Sequence, residues 1–285
     1  MEGHRERRGG AGRMIPKAFI NEWREHAPWR IDAQVEQDLV ISRALVDMYS
    51  VPELRERLAF RGGTALYKLH LLPPARYSED IDLVQVEAKP IGETLDIVRG
   101  VLDPWLGTPQ RKFKEGRVNL VYRFESEDSP PLKMKLKIEI NTREHFTELG
   151  LARVPFTVDG RWFAGAADVT TFDVNELMGT KLRALYQRKK GRDLFDMAYA
   201  LQRDDVDPAV LLRCFDRYMT EAGHSVTRAQ FEANLHEKST DSDFRDDIEA
   251  LLGPTIPWDF EDAMQVVLEQ VVAKLPGDPW KGAGD

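Results

Sequence analysis

The segment RYSEDIDLV, residues 76–84, contains the pattern that is most informative about the fold of the chain. Its alternating pattern predicts a strand over residues 77–86, with Ile81 and Leu83 on one face and Asp80 and Asp82 on the other. Two carboxylates at this spacing stand about 7 Å apart along the strand, and Mg²⁺ fits between them because it prefers oxygen ligands. The alternative is an edge strand with a charged outer face, and the segment by itself is compatible with both.

A second strand is predicted over KMKLKIEIN, residues 133–141, where apolar and polar side chains alternate strictly. Its polar face carries a single acid, Glu139. With residues 118–124 it forms a predicted hairpin across the polar loop ESEDSPP. If this strand neighbours the Asp80 strand, three carboxylates converge and suffice for two metal ions. The alternative is a solvated face with one acid among lysines.

The segment FRGGTAL, residues 60–66, joins an extended stretch to a helix through two glycines. Gly62 and Gly63 let backbone approach a ligand closely, and the free N–H groups at a helix start favour an anion, so the segment is a candidate phosphate cradle. It matches neither the P-loop nor the dinucleotide fingerprint. A Gly-Gly turn capped by Thr64 is the alternative.

A helix predicted from residue 174 to 189 places Lys181 within its apolar stripe, four residues from both Leu177 and Leu185. A lysine there either extends its ammonium to solvent or meets an anion, and Arg188 lies one turn further on, near the same side. The functional interpretation is a cation aimed at a triphosphate in a cleft between two lobes.

The helix that follows begins near residue 191 and contains two acids. Asp193 is either a helix-start acid or a site residue, and Asp196 is either solvated or directed into the cleft.

Composition restricts the class of protein. The 285 residues carry 40 Lys and Arg against 48 Asp and Glu, for a net charge of −8, and 42% are hydrophobic. This is a globular composition, with neither a membrane-spanning run nor a signal-peptide pattern, and its single cysteine, Cys214, fits a reducing cytoplasm. The six histidines lack metal-ligand spacing and there is no G-x-S-x-G motif, which disfavours zinc and serine-hydrolase chemistry.

Along the chain we expect a mobile tail at 1–13, with Met14 as an alternative start, an α/β lobe at 14–165 and a helical lobe at 166–285. The fold class is therefore α+β, with a small mixed sheet and flanking helices in the first lobe and a glycine-containing loop around Gly160 and Gly165 at its end. Residues 181–192 are basic, and the acidic stretch at 238–262 is expected to be solvated.

Together these motifs resemble the nucleotidyltransferase superfamily, and more closely the AbiEii/AbiGii-type nucleotidyltransferase toxins of bacterial toxin–antitoxin systems. FRGGTAL and RYSEDIDL carry the resemblance, supported by Lys181, Arg188 and RDLFD at 192–196, over residues 14 to about 200. The resemblance implies roles for the following residues: Gly62, Gly63, Thr64, Ser78, Lys181 and Arg188 at nucleotide phosphates; Asp80 and Asp82 at Mg²⁺ or Mn²⁺, with Glu139 as the superfamily's third acid; and Lys181 with Asp196, or its rival Asp193, completing the catalytic set.

The implied activity is transfer of a nucleotide from an NTP to an acceptor, with release of pyrophosphate. Lys181 would stabilise charge on the leaving side, and Glu139 or Asp196 would accept the acceptor's proton. The favoured acceptor is RNA, above all a tRNA 3′ end, lying along residues 181–192, and a cognate antitoxin is the implied protein partner. The alternatives are a catalytically silent nucleotide- or partner-binding module, and transfer to a protein or a small molecule.

Overall fold

The structure is a computed structural model that describes residues 15–282. The predicted tail at 1–13 and the alternative start Met14 lie outside the described residues.

A seven-stranded mixed sheet forms the centre of the fold. Its strands are β1 Leu58–Arg61, β2 Asp80–Gln85, β3 Gln110–Lys114, β4 Arg117–Glu125, β5 Lys133–Asn141, β6 Leu151–Asp159 and β7 Ala164–Phe172. They lie in the order β3-β4-β5-β2-β1-β7-β6. Strand β2 runs parallel to β5 and β1 runs parallel to β7, whereas all other neighbours are antiparallel.

Helices precede, interrupt and follow the sheet. They are α1 Lys17–Trp23, α2 Asp32–Tyr49, α3 Pro52–Arg57, α4 Gly62–Ala65 with a π-helical turn at Leu66–His70, α5 Gly92–Leu106, α6 Val174–Gln187, α7 Gly191–Ala200, α8 Pro208–Glu221, α9 Arg228–Ser239, α10 Ser242–Asp246 and α11 Phe260–Gln270. Within the described part of the chain, no helix combines the length and the apolarity needed to cross a membrane.

The two faces of the sheet have different neighbours, as strand alternation dictates. On one face, Ile81, Leu120 and Ile138 are fully buried in a core to which α2 and α5 contribute. On the other face, the polar side chains of β2 and β5 point toward helix α6 across a cleft. This asymmetry places the chemistry-bearing residues on the α6 side.

The α+β fold class with a mixed sheet is confirmed, as are both strands of the predicted hairpin and the helical run from Val174. The loop predicted around Gly160 and Gly165 is only partly correct: Gly160 lies in the turn of a β6–β7 hairpin, whereas Gly165 lies within β7. Its second strand reads AGAADVTTF, whose small residues give little strand signal, yet it pairs with β1 through Phe60 and Thr171. The sheet is consequently larger than the small one expected, and the predicted lobe boundary at residue 165 falls inside β7.

The strand predicted from Tyr77 begins later, at Asp80. The backbone N–H of Tyr77 donates to the carbonyl of Leu251, 2.8 Å away, so the start of the segment is bonded to the helical part instead of to a neighbouring strand. Residues 77–79 therefore form a connection between the two parts of the molecule.

Candidate active site

Three carboxylates meet on one face of the sheet. In the register of the parallel β2–β5 pair, Asp82 is opposite Glu139 and Asp80 is opposite Lys137. Paired residues project to the same face, so β5 is the neighbour of the Asp80 strand and Asp80, Asp82 and Glu139 share one face, as expected. Lys137, which sequence reasoning left among the solvated lysines, belongs to the same group.

The Lys137 ammonium lies between the carboxylates. Its Nζ is 3.4 Å from Oδ2 of Asp80 and 3.1 Å from Oε2 of Glu139. The second carboxylate oxygen of Asp80, Oδ1, is buried and has no hydrogen-bond partner. Asp80 therefore keeps an uncommitted ligand atom that points away from water.

Burial and neighbouring charges move the pKa values of this group apart. Burial raises the pKa of Asp82, and the nearby carboxylate of Asp80 adds to the rise against the opposing charge of Arg61. Burial also acts to raise the pKa of Glu139, but ion pairs with Lys137 and Arg117 outweigh it and lower that pKa. Glu139 is accordingly the more firmly ionised of the two.

This donor set fits Mg²⁺. The ion typically takes one or two protein carboxylates and completes its shell with water and substrate phosphate oxygens, and Asp80 and Asp82 offer such a pair. In residues 15–282 no three acidic, histidine or cysteine side chains are gathered into a ready-made metal cage. The unpartnered Oδ1 of Asp80 is the structural feature that favours a bound cation here.

The Gly62-Gly63 turn allows two side chains to approach the backbone closely. Gly62 has φ +80°, and a Cβ there would lie 2.5 Å from Oδ2 of Asp82. At Gly63 a Cβ would lie 2.5 Å from Nη2 of Arg76. Gly62 is thus required both by its backbone conformation and by its contact with Asp82, and Gly63 by its contact with Arg76. Through Gly62 the turn lies directly against the face of the sheet that bears the carboxylates.

Thr64 and Ser78 face each other beneath this turn. Their hydroxyl oxygens are 2.7 Å apart, and the Thr64 hydroxyl donates to the carbonyl of Asp80 over 2.5 Å. Thr64 is only 2% exposed. The pair connects α4 to the beginning of β2, and neither residue lines the cleft.

A cluster of five charged residues, hereafter the ion cluster, lies at the α6 side of the cleft; Arg188 is exposed and the other four are buried. Asp196 is fully buried and accepts a bidentate pair from Arg76, at 2.6 Å for both bonds, and a bond from Lys181 at 2.9 Å. Asp193, also fully buried, accepts from Lys181 at 3.1 Å and from Arg188 at 2.6 and 2.8 Å. Three cations therefore share two carboxylates, which leaves one net positive charge.

Burial opposes ionisation of both acids in the ion cluster, but their cationic partners prevail. The Arg76 guanidinium, with Lys181, holds the pKa of Asp196 far below its usual range. The pKa of Asp193 is likewise lowered, by Lys181 and Arg188. The expectation that Asp196 is solvated or faces the cleft is wrong, because Tyr67, Arg76 and Lys181 surround it.

The cleft between the sheet and α6 has a volume of about 420 Å³. Of the predicted site residues, Gly62, Gly63, Asp82, Glu139, Lys181 and Arg188 line it. Asp80, Thr64, Ser78, Asp193 and Asp196 are not part of the lining, although the Asp80 side chain is partly exposed. Sequence reasoning missed the lining residues Arg61, Arg117, Asn141 and Arg183. The position of Arg61 next to Gly62 was an available signal, whereas Arg183 requires knowledge of which side of α6 faces the sheet.

Every cation of the basic segment 181–192 is paired with a carboxylate within the chain. Its six cations are paired as follows: Lys181 with Asp193 and Asp196, Arg183 with Glu144, Arg188 with Asp193, Lys189 with Asp241, and Lys190 and Arg192 with Asp247. The acidic stretch at 238–262, expected to be solvated, thus supplies two of the partners. No cation in this segment is left without a carboxylate.

The family model for the nucleotidyl transferase AbiEii toxin of type IV toxin–antitoxin systems matches residues 43–266, and the chain belongs to this family. It is therefore an enzyme of the nucleotidyltransferase class and the toxin component of such a system. Nucleotidyltransferases of this kind generally use divalent metals.

Solved structures share the fold. The nucleotidyltransferase toxin MenT4 from Mycobacterium tuberculosis superposes with a TM-score of 0.63 at 16% identity, over 92% of this chain and 91% of that one. A nucleotidyltransferase structure from Helicobacter pylori gives a TM-score of 0.51 at 18% identity, over 86% of this chain and 96% of that one. Among curated proteins, no sequence matches the chain.

Proposed function

We propose that this toxin transfers a nucleoside monophosphate from an NTP to the 3′ end of an RNA, with tRNA as the favoured acceptor and Mg²⁺, or Mn²⁺ in its place, as the cofactor. One observation carries the proposal: Asp82 and Glu139 on the sheet wall face Lys181 and Arg188 on the helix wall of a single cleft. Carboxylates on one side and cations on the other suit a metal-bound triphosphate. The RNA acceptor and the single cysteine both fit the reducing cytoplasm.

In this reaction the acceptor's 3′-oxygen forms a bond to the α-phosphorus, the bond between that phosphorus and the bridging oxygen to the β-phosphate breaks, and pyrophosphate leaves. Asp80 and Asp82 would hold the metal, which when bound neutralises phosphate charge and polarises the reacting oxygens. Gly62 and Gly63 bring backbone N–H groups close to the phosphates. Lys181 and Arg188 stabilise the charge that develops on the pyrophosphate.

The acceptor hydroxyl must lose a proton, and we assign its acceptor to Glu139. Both acids are paired with cations, but Glu139 is partly exposed and lines the cleft, whereas Asp196 is fully buried and does not line it. Asp193 and Asp196 are accordingly positioning residues that hold the Lys181 ammonium in place. Thr64 and Ser78 are also positioning residues, because their hydrogen bonds hold the start of β2 in place.

The test is label transfer from each NTP to bulk tRNA in the presence of Mg²⁺ or Mn²⁺. The wild-type protein is expected to label RNA, and Asp80→Ala is expected to abolish transfer while preserving the thermal unfolding midpoint. Asp168→Ala, an exposed carboxylate on β7, is the matched control and keeps full activity. Wild-type protein that labels no RNA with any NTP, or an active Asp80→Ala variant, would contradict the assignment.

Two further outcomes discriminate the other hypotheses. Label recovered in protein or in a small molecule, with none in RNA, would identify a different acceptor. NTP binding that survives Asp80→Ala without pyrophosphate release from either protein would identify a silent binding module. A cognate antitoxin, the expected partner, should suppress pyrophosphate release by the wild-type toxin.

A further inference from the structure

A row of paired residues runs outward from the cleft to the edge of the sheet. In the register of three successive strand pairs, Asp82 is opposite Glu139, Glu139 is opposite Asn119, and Asn119 is opposite Lys112. All four side chains project to the same face, and Lys112 is three strand spacings, or about 15 Å, from Asp82. The face that bears the catalytic carboxylates therefore continues to the edge strand β3.

The outer part of this face is basic. Five exposed cations lie there, and we call this set the basic strand face: Lys112, Lys114, Arg123, Lys133 and Lys135. Within residues 15–282 none of the five forms an ion pair, and the Arg123 guanidinium donates to the amide oxygen of Gln110. This contrasts with segment 181–192, where every cation has a carboxylate partner. The exposed Glu125, opposite Lys133 in register, is an acid at the end of the same face, so the five cations leave a net positive charge there. In a chain with a net charge of −8, this group produces a local positive field.

The catalytic cleft is continuous with this region. Arg117 and Asn141 line both the cleft and a second cavity of about 680 Å³, which reaches the β3–β4 turn at Gly116. Lys114 is paired in register with Arg117 at that turn. A chain of phosphates lying on β3 and β4 thus has an open route to the carboxylates.

We propose that the basic strand face binds the phosphate backbone of the acceptor RNA and leads its 3′ end past Arg117 to the cleft. The inference rests on the proposed function, because it names where the acceptor of that reaction is held. It moves the acceptor from segment 181–192, whose cations already have carboxylate partners, to side chains that form no ion pair within residues 15–282. Single-stranded nucleic acid is retained mainly by such phosphate contacts, and its binding is therefore dependent on salt.

The test compares two triple variants of equal charge change. The first variant removes three cations of the basic strand face: Lys112→Gln, Lys114→Gln and Lys135→Gln. The control variant removes three exposed cations that lie elsewhere and have no ion pair in the described structure: Arg30→Gln, Lys274→Gln and Lys281→Gln.

Binding of fluorescent tRNA is measured by anisotropy over a salt series, and KM for RNA and for NTP are measured separately. The first variant should bind RNA about tenfold more weakly, with a salt dependence shallower by about two in the log–log slope, because each single-strand phosphate contact contributes about 0.7. Its KM for RNA should rise and its KM for NTP should stay unchanged, and the control triple should behave as wild type.

An unchanged KM for RNA in the first variant, with an active wild-type protein, overturns the inference and leaves the proposed function intact. Equal weakening by both triples also overturns it, since the effect is then one of overall charge. If the first variant transfers normally to RNA but escapes inhibition by the antitoxin, the surface belongs to the protein partner and the inference is wrong. A wild-type protein that labels no RNA contradicts the proposed function itself.

Discussion

At the scale of single residues, Lys137 is the cation that the carboxylate face already contains. Its ammonium bridges Asp80 and Glu139, so a metal that enters must compete with it for the same oxygens. Alternation in residues 133–141 was enough to predict Glu139, because strand faces are a local property. The role of Lys137 was not predictable, because it depends on which strand lies beside β5.

Lys137→Met should raise the affinity of the nucleotide-free protein for Mn²⁺ about fivefold, because removing one partly exposed ion pair releases on the order of 1 kcal/mol of competition. Free Mn²⁺ measured by electron paramagnetic resonance gives the affinity directly. Lys135→Met, on the same strand face but without an acidic partner, is the control and should leave the affinity unchanged. Weaker Mn²⁺ binding by Lys137→Met would show that the ammonium organises the carboxylates instead of competing for them.

Gly62→Ala should destabilise the fold by about 1 kcal/mol or more, since alanine is strained at φ +80°. It should also displace the Asp82 carboxylate, which lies 2.5 Å from the position of the new Cβ, and so lower kcat. Urea denaturation and label transfer measure the two effects. Gly92→Ala, where a Cβ meets nothing within 4 Å, is the matched control, and equal losses in both variants would refute the argument.

At the scale of elements, helices α6 and α7 are joined by the ion cluster, which also ties them to the segment before β2 through Arg76. The sequence analysis identified Lys181 as anomalous because it interrupts an apolar stripe. It did not find Arg76 as the partner of Asp196, since the two residues are separated by 120 positions and no local pattern connects them. Strand β7 escaped prediction for a related reason: small residues such as Ala166 and Ala167 signal a strand only through their neighbours.

Asp196→Asn should lower the free energy of unfolding by about 3 kcal/mol near neutral pH, because it leaves Arg76 and Lys181 buried with one charge partner fewer. The pKa of Asp196 is lowered in the folded state, so its stabilisation is present above the pKa of the unfolded carboxyl, about 3.9, and is lost as pH falls below it. The difference between wild type and variant should therefore shrink in acid.

Urea midpoints measured from pH 3 to pH 7 test this expectation, provided that both proteins remain folded in the absence of urea. Asp168→Asn, an exposed carboxylate without an ion pair, should show no such trend. A difference that grows as pH falls would contradict the assigned direction of the pKa shift.

At the scale of the whole molecule, the cations of segment 181–192 are paired with carboxylates, whereas those at the edge of the sheet form no ion pair in the described part of the chain. Asp241 forms an ion pair with Lys189, and Asp247 forms ion pairs with Lys190 and Arg192. The cations of β3, in contrast, form no ion pair with any residue that the structure describes. Composition predicted net acidity and the presence of a basic segment. It could not predict which basic residues remain available, because pairing between residues more than 50 positions apart is set by the tertiary fold.

Asp241→Asn combined with Asp247→Asn should increase RNA binding several-fold at low salt, because it frees three cations for phosphate contacts. Asparagine can still accept the N–H bonds that these aspartates make to Phe244 and Arg192, so the helix starts are preserved. The pair Glu53→Gln and Asp168→Asn changes net charge equally without freeing a cation, and it should leave binding nearly unchanged. Equal gains in both double variants would show that overall charge alone governs the affinity.

The parallel pairing of β1 with β7 has a consequence for synthesis of the toxin on the ribosome. Strand β1, which leads into the Gly62 turn, can pair with β7 only after residue 172 has been synthesised. Arg76 likewise has no carboxylate partner until Asp196 has been synthesised. A nascent polypeptide that has emerged only as far as the D-x-D segment therefore holds the carboxylates without their opposing cations. Both walls of the cleft are therefore present only after α6 has been synthesised, and Lys181 acquires its carboxylate partners only with α7.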